Sequence, residues 1–166
     1  MKARQTSRSA TFIMSSPRPG NMLPFLLLSA FRTLIDELHL RLAEHGHPDL
    51  RPAHGFAIQM VSRGGSVSDL GRRLGVSKQA ASKTVRGLEG LGYARRVPSA
   101  IDQRQVEVLL TPRGVEALTL SGEILNQLRD ECAATVGERE MVTLEDALAQ
   151  LSPYDGMEQI VGWLGA

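Results

Sequence analysis

The sequence predicts a mainly α-helical protein with a small β-ribbon. Apolar residues recur at helical spacing through most of the 166-residue chain, whereas residues 93–97 and 105–110 read as two short strands. Between residues 66 and 111 two short helices are separated by Gly75 and are followed by those two strands. Helix, tight turn, helix and ribbon in this order is the layout of a winged helix-turn-helix.

The composition is that of a soluble protein. Hydrophobic residues make up 42% of the chain and charged residues 22%, which is enough for a packed core. The longest apolar run, residues 23–30, is far shorter than a membrane span requires. The single cysteine, Cys132, excludes an intrachain disulfide framework and suits a reducing compartment. We therefore expect a soluble, cytoplasmic protein in which Cys132 has a packing role.

Charge is unevenly distributed along the chain, although the net charge is only +1. Residues 63–104 contain nine Lys or Arg and three acidic residues, whereas residues 105–166 contain three arginines and eleven acidic residues. A solvated charged face is the ordinary explanation of such a bias. Concentration of positive charge in the helix-turn-helix segment is also the electrostatic pattern expected of DNA binding.

Local signals place the helix starts and the turn of this segment. Pro52 suits the first turn of a helix. Ser66, with Asp69 three residues later, is close to a capping box, and Gly75 makes the turn. Ser77 caps the fourth helix, and Pro112 begins a long fifth helix after Thr111. Small Ala80 and Ala81 are expected to allow close approach to the neighbouring helix.

The fourth helix has two chemically different faces. Its apolar face consists of Ala81, Val85 and Leu88. Its opposite face is hydrogen-bonding, cationic and free of carboxylates, and it consists of Gln79, Ser82, Lys83 and Arg86. Glutamine can contact adenine in two places, Arg or Lys can contact guanine, and serine can donate or accept. These residues are therefore predicted to read bases in the major groove.

Other residues of the segment are predicted to contact phosphate. A helix N-terminus binds anions, which makes Ser77 and Lys78 candidate backbone anchors. Arg72 and Arg73 on the third helix are expected to be free to meet phosphate. A solvated amphipathic helix would explain the fourth helix equally well, but it does not explain the basic residues of the following ribbon.

Three motifs together resemble the MarR family of bacterial transcription regulators. They are Leu-Gly-Val-Ser-Lys-Gln-Ala at residues 74–80, Asp102-x-Arg104 before alternating apolar residues, and Leu110-Thr111-x-x-Gly114. The resemblance covers about residues 24–132. Each motif alone is weak, but their combination is specific.

The resemblance implies a homodimer that binds a pseudo-palindromic operator, with the fourth helix in the major groove and the wing in the minor groove. Arg104 would then be a minor-groove or phosphate contact, and Asp102 would orient the wing by pairing with an arginine. Arg95 and Arg96 would lie on the wing strands. The uncharged Gln103 departs from the family pattern, so the contacts of the wing tip, residues 98–104, depend on the motif alone.

The chain is accordingly divided into four segments. Residues 1–20 are predicted to be a disordered tail, because they lack acidic residues and periodicity. Residues 21–50 form an N-terminal dimerisation helix, residues 51–111 the DNA-binding domain, and residues 112–166 the C-terminal dimerisation helices. Monomeric packing of these helices is the alternative. The apolar stripe of the first helix consists of Leu27, Phe31, Leu34, Ile35, Leu38 and Leu42.

These observations predict a sequence-specific regulator, a ligand-responsive repressor in particular, whose partners are double-stranded DNA and a second copy of the chain. The alternative is a winged-helix protein-interaction module without sequence-specific DNA binding. A small-molecule effector is expected between the dimerisation helices and the winged domain, with His39, Arg41, His54 and Met60 as candidate pocket residues. No hydrolase, metalloprotease or dinucleotide motif is present, so we expect no enzyme and no cofactor.

Four histidines lie close together in the sequence, namely His39, His45, His47 and His54. Metal binding would require three or four convergent ligands. No Cys or His motif elsewhere completes such a set, so no metal site is predicted.

Overall fold

The computed structural model describes residues 19–99 and 106–151. Within these residues the chain forms six helices and one two-stranded antiparallel sheet. The elements are α1 (Met22–Glu44), α2 (Pro52–Val61), α3 (Val67–Leu74), α4 (Lys78–Gly90), β1 (Ala94–Pro98), β2 (Val106–Leu110), α5 (Pro112–Val136) and α6 (Glu138–Leu151). The mainly helical fold with a small β-ribbon is confirmed. Most of the predicted N-terminal tail lies outside the described residues.

Hydrogen-bonded caps fix the starts of α3 and α4. The Ser66 hydroxyl accepts from the backbone N–H of Asp69, and the Asp69 carboxylate accepts from the backbone N–H of Ser66, which completes a capping box. Hydrogen bonds from the Ser66 hydroxyl and amide lower the pKa of Asp69. The Ser77 hydroxyl accepts from the backbone N–H of Ala80 at 3.2 Å. Both caps predicted from the sequence are confirmed.

Glycines set the turn and the spacing between α3 and α4. Gly75 ends α3 with a φ of 65°, a left-handed conformation that glycine adopts without strain. A Cβ atom at Gly71 would lie 3.2 Å from the carbonyl oxygen of Val76 and 3.4 Å from the Cβ of Ala81, so the two helices approach closely there. Ala81 is fully buried, but Ala80 is exposed. The expectation that Ala80 also packs against the neighbouring helix is wrong.

A mainly aliphatic core joins the winged helix to the second half of α1. Leu38 and Leu42 of α1 and Ile124 and Leu128 of α5 belong to the same buried cluster as the residues of α2, α3 and α4. Burying each such side chain contributes about 1.5–3 kcal/mol. The largest fully buried side chains are Tyr93, Leu42, Ile58, Met60, Leu88, Val85 and Val108. This packing fixes the position of α4 relative to α1 and α5.

The ribbon is anchored at its base by α3 and α5. β1 and β2 pair in antiparallel register from Ala94 opposite Leu110 to Pro98 opposite Val106. A bridge between Ser66 and Glu107 joins the ribbon to the start of α3. Both strands lie within one residue of the predicted ranges. The predicted wing tip lies outside the described residues from residue 100 onward.

Two arginine clusters tie α5 to its neighbours. Arg41 of α1 donates to both carboxylate oxygens of Glu131 on α5, each at 2.8 Å. Arg129 of α5 contacts Glu138 and Glu145 of α6, at 2.7 and 3.0 Å. Partly exposed pairs of this kind contribute up to about 1 kcal/mol each. Their main effect is to fix the direction of α1 and α6 relative to α5.

The first half of α1 and much of α6 expose large apolar side chains. The stripe predicted for α1 is buried only in its second half, because Leu38 and Leu42 are buried while Leu27 is 40% exposed. Extended exposed apolar surface of this kind is typical of an interaction site. The exposed side chains are Met22, Leu23, Phe25, Leu26, Leu27 and Leu28 on α1, and Val142, Leu144, Leu148 and Leu151 on α6. None of the described helices is long and apolar enough to cross a membrane.

Candidate DNA-binding surface

The solvent side of α4 carries the predicted base-reading residues. Gln79, Lys83 and Arg86 are exposed, while Ser82 is half-buried beside them. The Ser82 hydroxyl accepts a hydrogen bond from the guanidinium of Arg86 at 3.1 Å, which restrains the Arg86 side chain. A shallow concavity on this side is lined by Ser77, Gln79, Ala80, Lys83 and Arg86. The structure therefore brings the four predicted readers to one helix surface.

The N-terminal end of α4 adds positive potential to the same surface. The first turn contains no acidic residue, and Lys78 is exposed at its start. The first amide groups of a helix carry partial positive charge and bind anionic oxygens. This end of α4 is suited to a phosphate group.

Six of the nine cations of the basic segment fall into two groups. Arg72 pairs with Asp69, and Arg96 pairs with Glu89 at 3.1 Å, so both have an intramolecular carboxylate partner. Four other cations form no salt bridge within residues 19–99 and 106–151, and these are Lys78, Lys83, Arg86 and Arg95. Their charge is available to an external anion.

Arg73 occupies a different position from Arg72. Its side chain is half-buried, and its guanidinium donates to the backbone carbonyl of Gly64 at 2.6 Å and, more weakly, to that of Met60 at 3.4 Å. These bonds join α3 to the end of α2 and the turn that follows. The expectation that Arg73 is free to meet phosphate is therefore wrong, because backbone carbonyls hold its guanidinium, whereas Arg72 is exposed on the surface.

The structure places only part of the predicted wing contacts. Arg95 is exposed on β1, and Arg96 lies beside it with its partner Glu89 on α4. Asp102 and Arg104 lie outside the described residues.

Comparison with known proteins supports the resemblance inferred from the motifs. Residues 49–105 match a family model described as MarR family. The resemblance to the MarR family is confirmed. The matched segment spans α2, α3, α4 and β1. No curated protein matches the chain.

Solved structures share this MarR-type fold. FabT of Streptococcus pneumoniae in complex with DNA is 20% identical, with a TM-score of 0.69 and coverage of 80% of this chain and 94% of that chain. The reduced form of MarR from E. coli is 22% identical, with a TM-score of 0.66 and coverage of 84% and 100%. A mutant of S. aureus MepR bound to an oligodeoxyribonucleotide is 16% identical, with a TM-score of 0.57 and coverage of 78% and 94%. At these identities the likeness shows the winged-helix fold alone.

The four residues predicted to line a ligand pocket have unequal environments in the structure. Met60 is fully buried in the core. Arg41 is held by Glu37 and Glu131. The Nε2 atom of His39 and the Nδ1 atom of His54 are buried without a hydrogen-bond partner in the described chain. Burial lowers the pKa of His54.

A partly buried polar network at the base of the wing, formed by buried His47 and Tyr93 and exposed Arg113, was not predicted from the sequence. The Tyr93 hydroxyl lies 3.1 Å from the Nδ1 atom of His47 and 3.3 Å from the Arg113 guanidinium. Arg113 also donates to the carbonyl oxygen of Gly46 at 3.0 Å, and its guanidinium lies 4.9 Å from the centre of the Tyr93 ring. The network joins the end of α1, the start of β1 and the start of α5. Tyr93 is the one sequence signal that could have indicated the network, because a tyrosine in a core usually has a hydrogen-bond partner for its hydroxyl.

The histidines do not converge on a common point suited to a metal. His45 is exposed, while His47 is buried against Tyr93. Among residues 19–99 and 106–151 no group of three or more His, Cys, Asp or Glu side chains could hold a metal ion. Cys132 is a half-buried free thiol.

Proposed function

We propose that the chain is a sequence-specific DNA-binding transcription regulator that acts in the cytoplasm as a homodimer on a pseudo-palindromic operator, and that it is a ligand-responsive repressor. The observation that carries the proposal is the concavity on the solvent side of α4, whose lining includes Gln79, Lys83 and Arg86 and contains no carboxylate. Two of the similar structures contain DNA, which supports the same partner for this chain.

In the proposed complex α4 enters the major groove. Gln79 is placed to contact adenine, and Lys83 and Arg86 are placed to contact guanine. The hydrogen bond from Arg86 to Ser82 limits the conformations of Arg86, so less side-chain entropy is lost when the guanidinium meets a base. Ser82 thus acts as a positioning residue for Arg86 and as a second hydrogen-bonding group at the base edges.

Phosphate contacts come from the helix N-terminus and the wing. Among the described residues Ser77, Lys78 and Arg95 have no carboxylate partner, so they can meet phosphate directly. Arg72 and Arg96 would exchange an intramolecular carboxylate for a phosphate group, so they contribute less. Arg73 holds α3 in place through backbone carbonyls. Arg104, oriented by Asp102, remains the proposed contact of the wing tip on the motif alone.

The homodimer is proposed from the exposed apolar surfaces of α1 and α6. Those side chains are 37–68% exposed in the single chain. A second copy that packs α1 and α6 against their counterparts would remove this surface from water. The arginine clusters at Arg41 and Arg129 would hold both helices in the orientation that the interface needs.

An effector site is proposed around His39 of α1 and His54 of α2, with Arg41 and Met60 as its other candidate residues. A buried polar atom without a partner costs about 1–3 kcal/mol, which a hydrogen-bonding ligand could recover at the His39 and His54 nitrogens. Ligand binding there would change the separation of the two α4 helices, which must match major grooves about 34 Å apart. Free and ligand-bound structures with the same separation would exclude this mechanism.

The test begins with genomic fragments enriched on the purified full-length chain. The recovered sequence is then titrated with the protein at several salt concentrations and compared with a scrambled duplex of equal length. A regulator will prefer the recovered sequence, will bind as two chains per duplex, and will lose affinity steeply as salt rises. Equal affinity for both duplexes, or no binding at low salt, would instead favour the protein-interaction module.

Two arginine substitutions, one on α4 and one on α1, provide a matched comparison of affinity for the recovered duplex. Replacement of Arg86 by alanine should weaken specific binding by about 1–3 kcal/mol, because a direct contact to guanine is lost. Arg32, which forms an exposed ion pair with Asp36 on α1, is the control. If Arg86→Ala and Arg32→Ala reduce the affinity for the recovered duplex by the same factor, the proposed role of the α4 surface is excluded.

A further inference from the structure

We infer that Ala80 and Thr84 form an apolar ridge that selects thymine in the operator through its C5 methyl group. The inference rests on the proposed function and assigns a chemical role to two residues that the motif and charge patterns leave without one. It concerns which base pair is preferred beside the bases that Gln79 and Lys83 contact.

Ala80 faces the solvent at the place where DNA is proposed to lie. Its side chain is exposed and belongs to the concavity that also contains Gln79, Lys83 and Arg86. Its backbone N–H is held by the Ser77 cap, so the methyl group is fixed at the start of the helix. Its neighbour Ala81, not Ala80, makes the contact with α3. Packing within the chain therefore gives no reason for an apolar residue at position 80.

Thr84 lies one helical turn after Ala80. Its hydroxyl donates to the carbonyl oxygen of Ala80 at 3.2 Å, so the polar atom of the side chain is used inside the helix. The γ-methyl group is what remains for an outside contact. Residues four apart lie beside each other on a helix, so Ala80 and Thr84 form a short ridge parallel to the one formed by Gln79 and Lys83.

Two parallel ridges of different chemistry suit two different features of the major groove. The polar ridge can hydrogen-bond to donor and acceptor atoms of base edges. The apolar ridge can contact the C5 methyl group of thymine, which is the apolar group that the groove presents and which alanine and threonine methyl groups commonly meet. A cytosine in the same place carries a hydrogen atom at C5, so the ridge would lose this methyl contact.

The test uses the full-length chain and the recognised duplex obtained as described above. Each thymine is replaced in turn by deoxyuridine, which keeps base pairing and removes only the methyl group. Affinities are measured for the wild type, Ala80→Gly and Thr84→Ser. Because each variant is compared with itself on two duplexes, any general loss of its helix stability cancels in the ratio.

The wild type should lose about fourfold in affinity at one or two thymines of each half-site, the equivalent of one buried methyl group. In Ala80→Gly or Thr84→Ser the same replacement should have little effect at the matching position. If deoxyuridine is harmless at every position, or if its effect persists undiminished in both variants, the inference is wrong. A wild type that binds no sequence preferentially would instead overturn the proposed function on which the inference depends.

Discussion

The stability of the chain should decrease as pH falls from 7.5 to 5.5, in part because of His47. The imidazole is only 2% exposed, and burial lowers its pKa from the ordinary value of 6.5, with Arg113 and His45 acting in the same direction and Glu116 opposing them. Arg113 donates to the Tyr93 hydroxyl, so the hydroxyl hydrogen can point toward Nδ1 of His47. A proton on Nδ1 would therefore face a donor as well as the Arg113 cation.

The direction and the maximum size of this decrease in stability follow from proton binding by His47 in the folded and unfolded states. Near and below pH 6.5 the unfolded chain takes up a proton at His47, whereas the folded chain stays neutral down to its lower pKa. The contribution of neutral His47 to the free energy of unfolding is therefore fully present above pH 6.5. It is lost as pH falls toward the pKa of His47 in the folded chain. The loss is limited to about 1.4 kcal/mol per pH unit for one such group. His54, whose pKa is also lowered by burial, adds a loss of the same sign.

The assay is urea denaturation at fixed protein concentration between pH 7.5 and 5.5. His47→Asn keeps an acceptor oxygen for Tyr93 and removes the titrating ring, so its free energy of unfolding should fall less over this range than that of the wild type. His45→Asn replaces the exposed neighbour, which is the smallest of the causes that act on the pKa of His47, so this variant should stay closer to the wild type than His47→Asn does. A wild type and a His47→Asn variant with the same pH dependence would refute the reasoning.

Two further substitutions test the base of the wing and the α3 cap by urea denaturation. A Cβ atom at Gly114 would lie 2.1 Å from the carbonyl oxygen of Tyr93, so Gly114→Ala should destabilise the chain by about 3 kcal/mol. Gly122→Ala in the open middle of α5 should instead stabilise it by about 0.5–1 kcal/mol, and equal effects would contradict the argument. Ser66→Ala removes the capping box and should cost about 1 kcal/mol, whereas Ser68→Ala on the exposed side of α3 should be nearly neutral. Indistinguishable unfolding curves for these two serine variants would show that the cap contributes nothing.

The parts of the fold that depend on neighbouring residues were predictable. The caps at Ser66 and Ser77, the turn at Gly75 and the apolar face of α4 each arise from residues within a few positions of one another. The polar surface of α4 was predictable for the same reason, since helical periodicity alone assigns Gln79 and Lys83 to one side. The strand limits were correct to within one residue because apolar alternation is also a local pattern.

Features that join distant parts of the chain were not predictable. The network of His47, Tyr93 and Arg113 brings together residues up to 66 positions apart, and no sequence pattern specifies which polar groups meet in a core. The sequence also does not show that Arg96 pairs with Glu89 of α4 while Arg95 has no carboxylate partner among the described residues. Arg73 finds backbone carbonyls on α2 and the adjacent turn because of how α2 and α3 cross, whereas its neighbour Arg72 stays on the surface. Ala80 was misplaced because periodicity does not show where an interhelical contact ends.

The two sides of α4 are under different physical constraints. Ala81, Val85 and Leu88 are fully buried and hold the helix in the core, whereas Gln79 and Lys83 pack against nothing that stabilises the fold. Mutations on the solvent side can therefore accumulate without threatening the folding of the chain. For the proposed regulator, a few changes on that side would suffice to alter the recognised sequence while the scaffold stays unchanged.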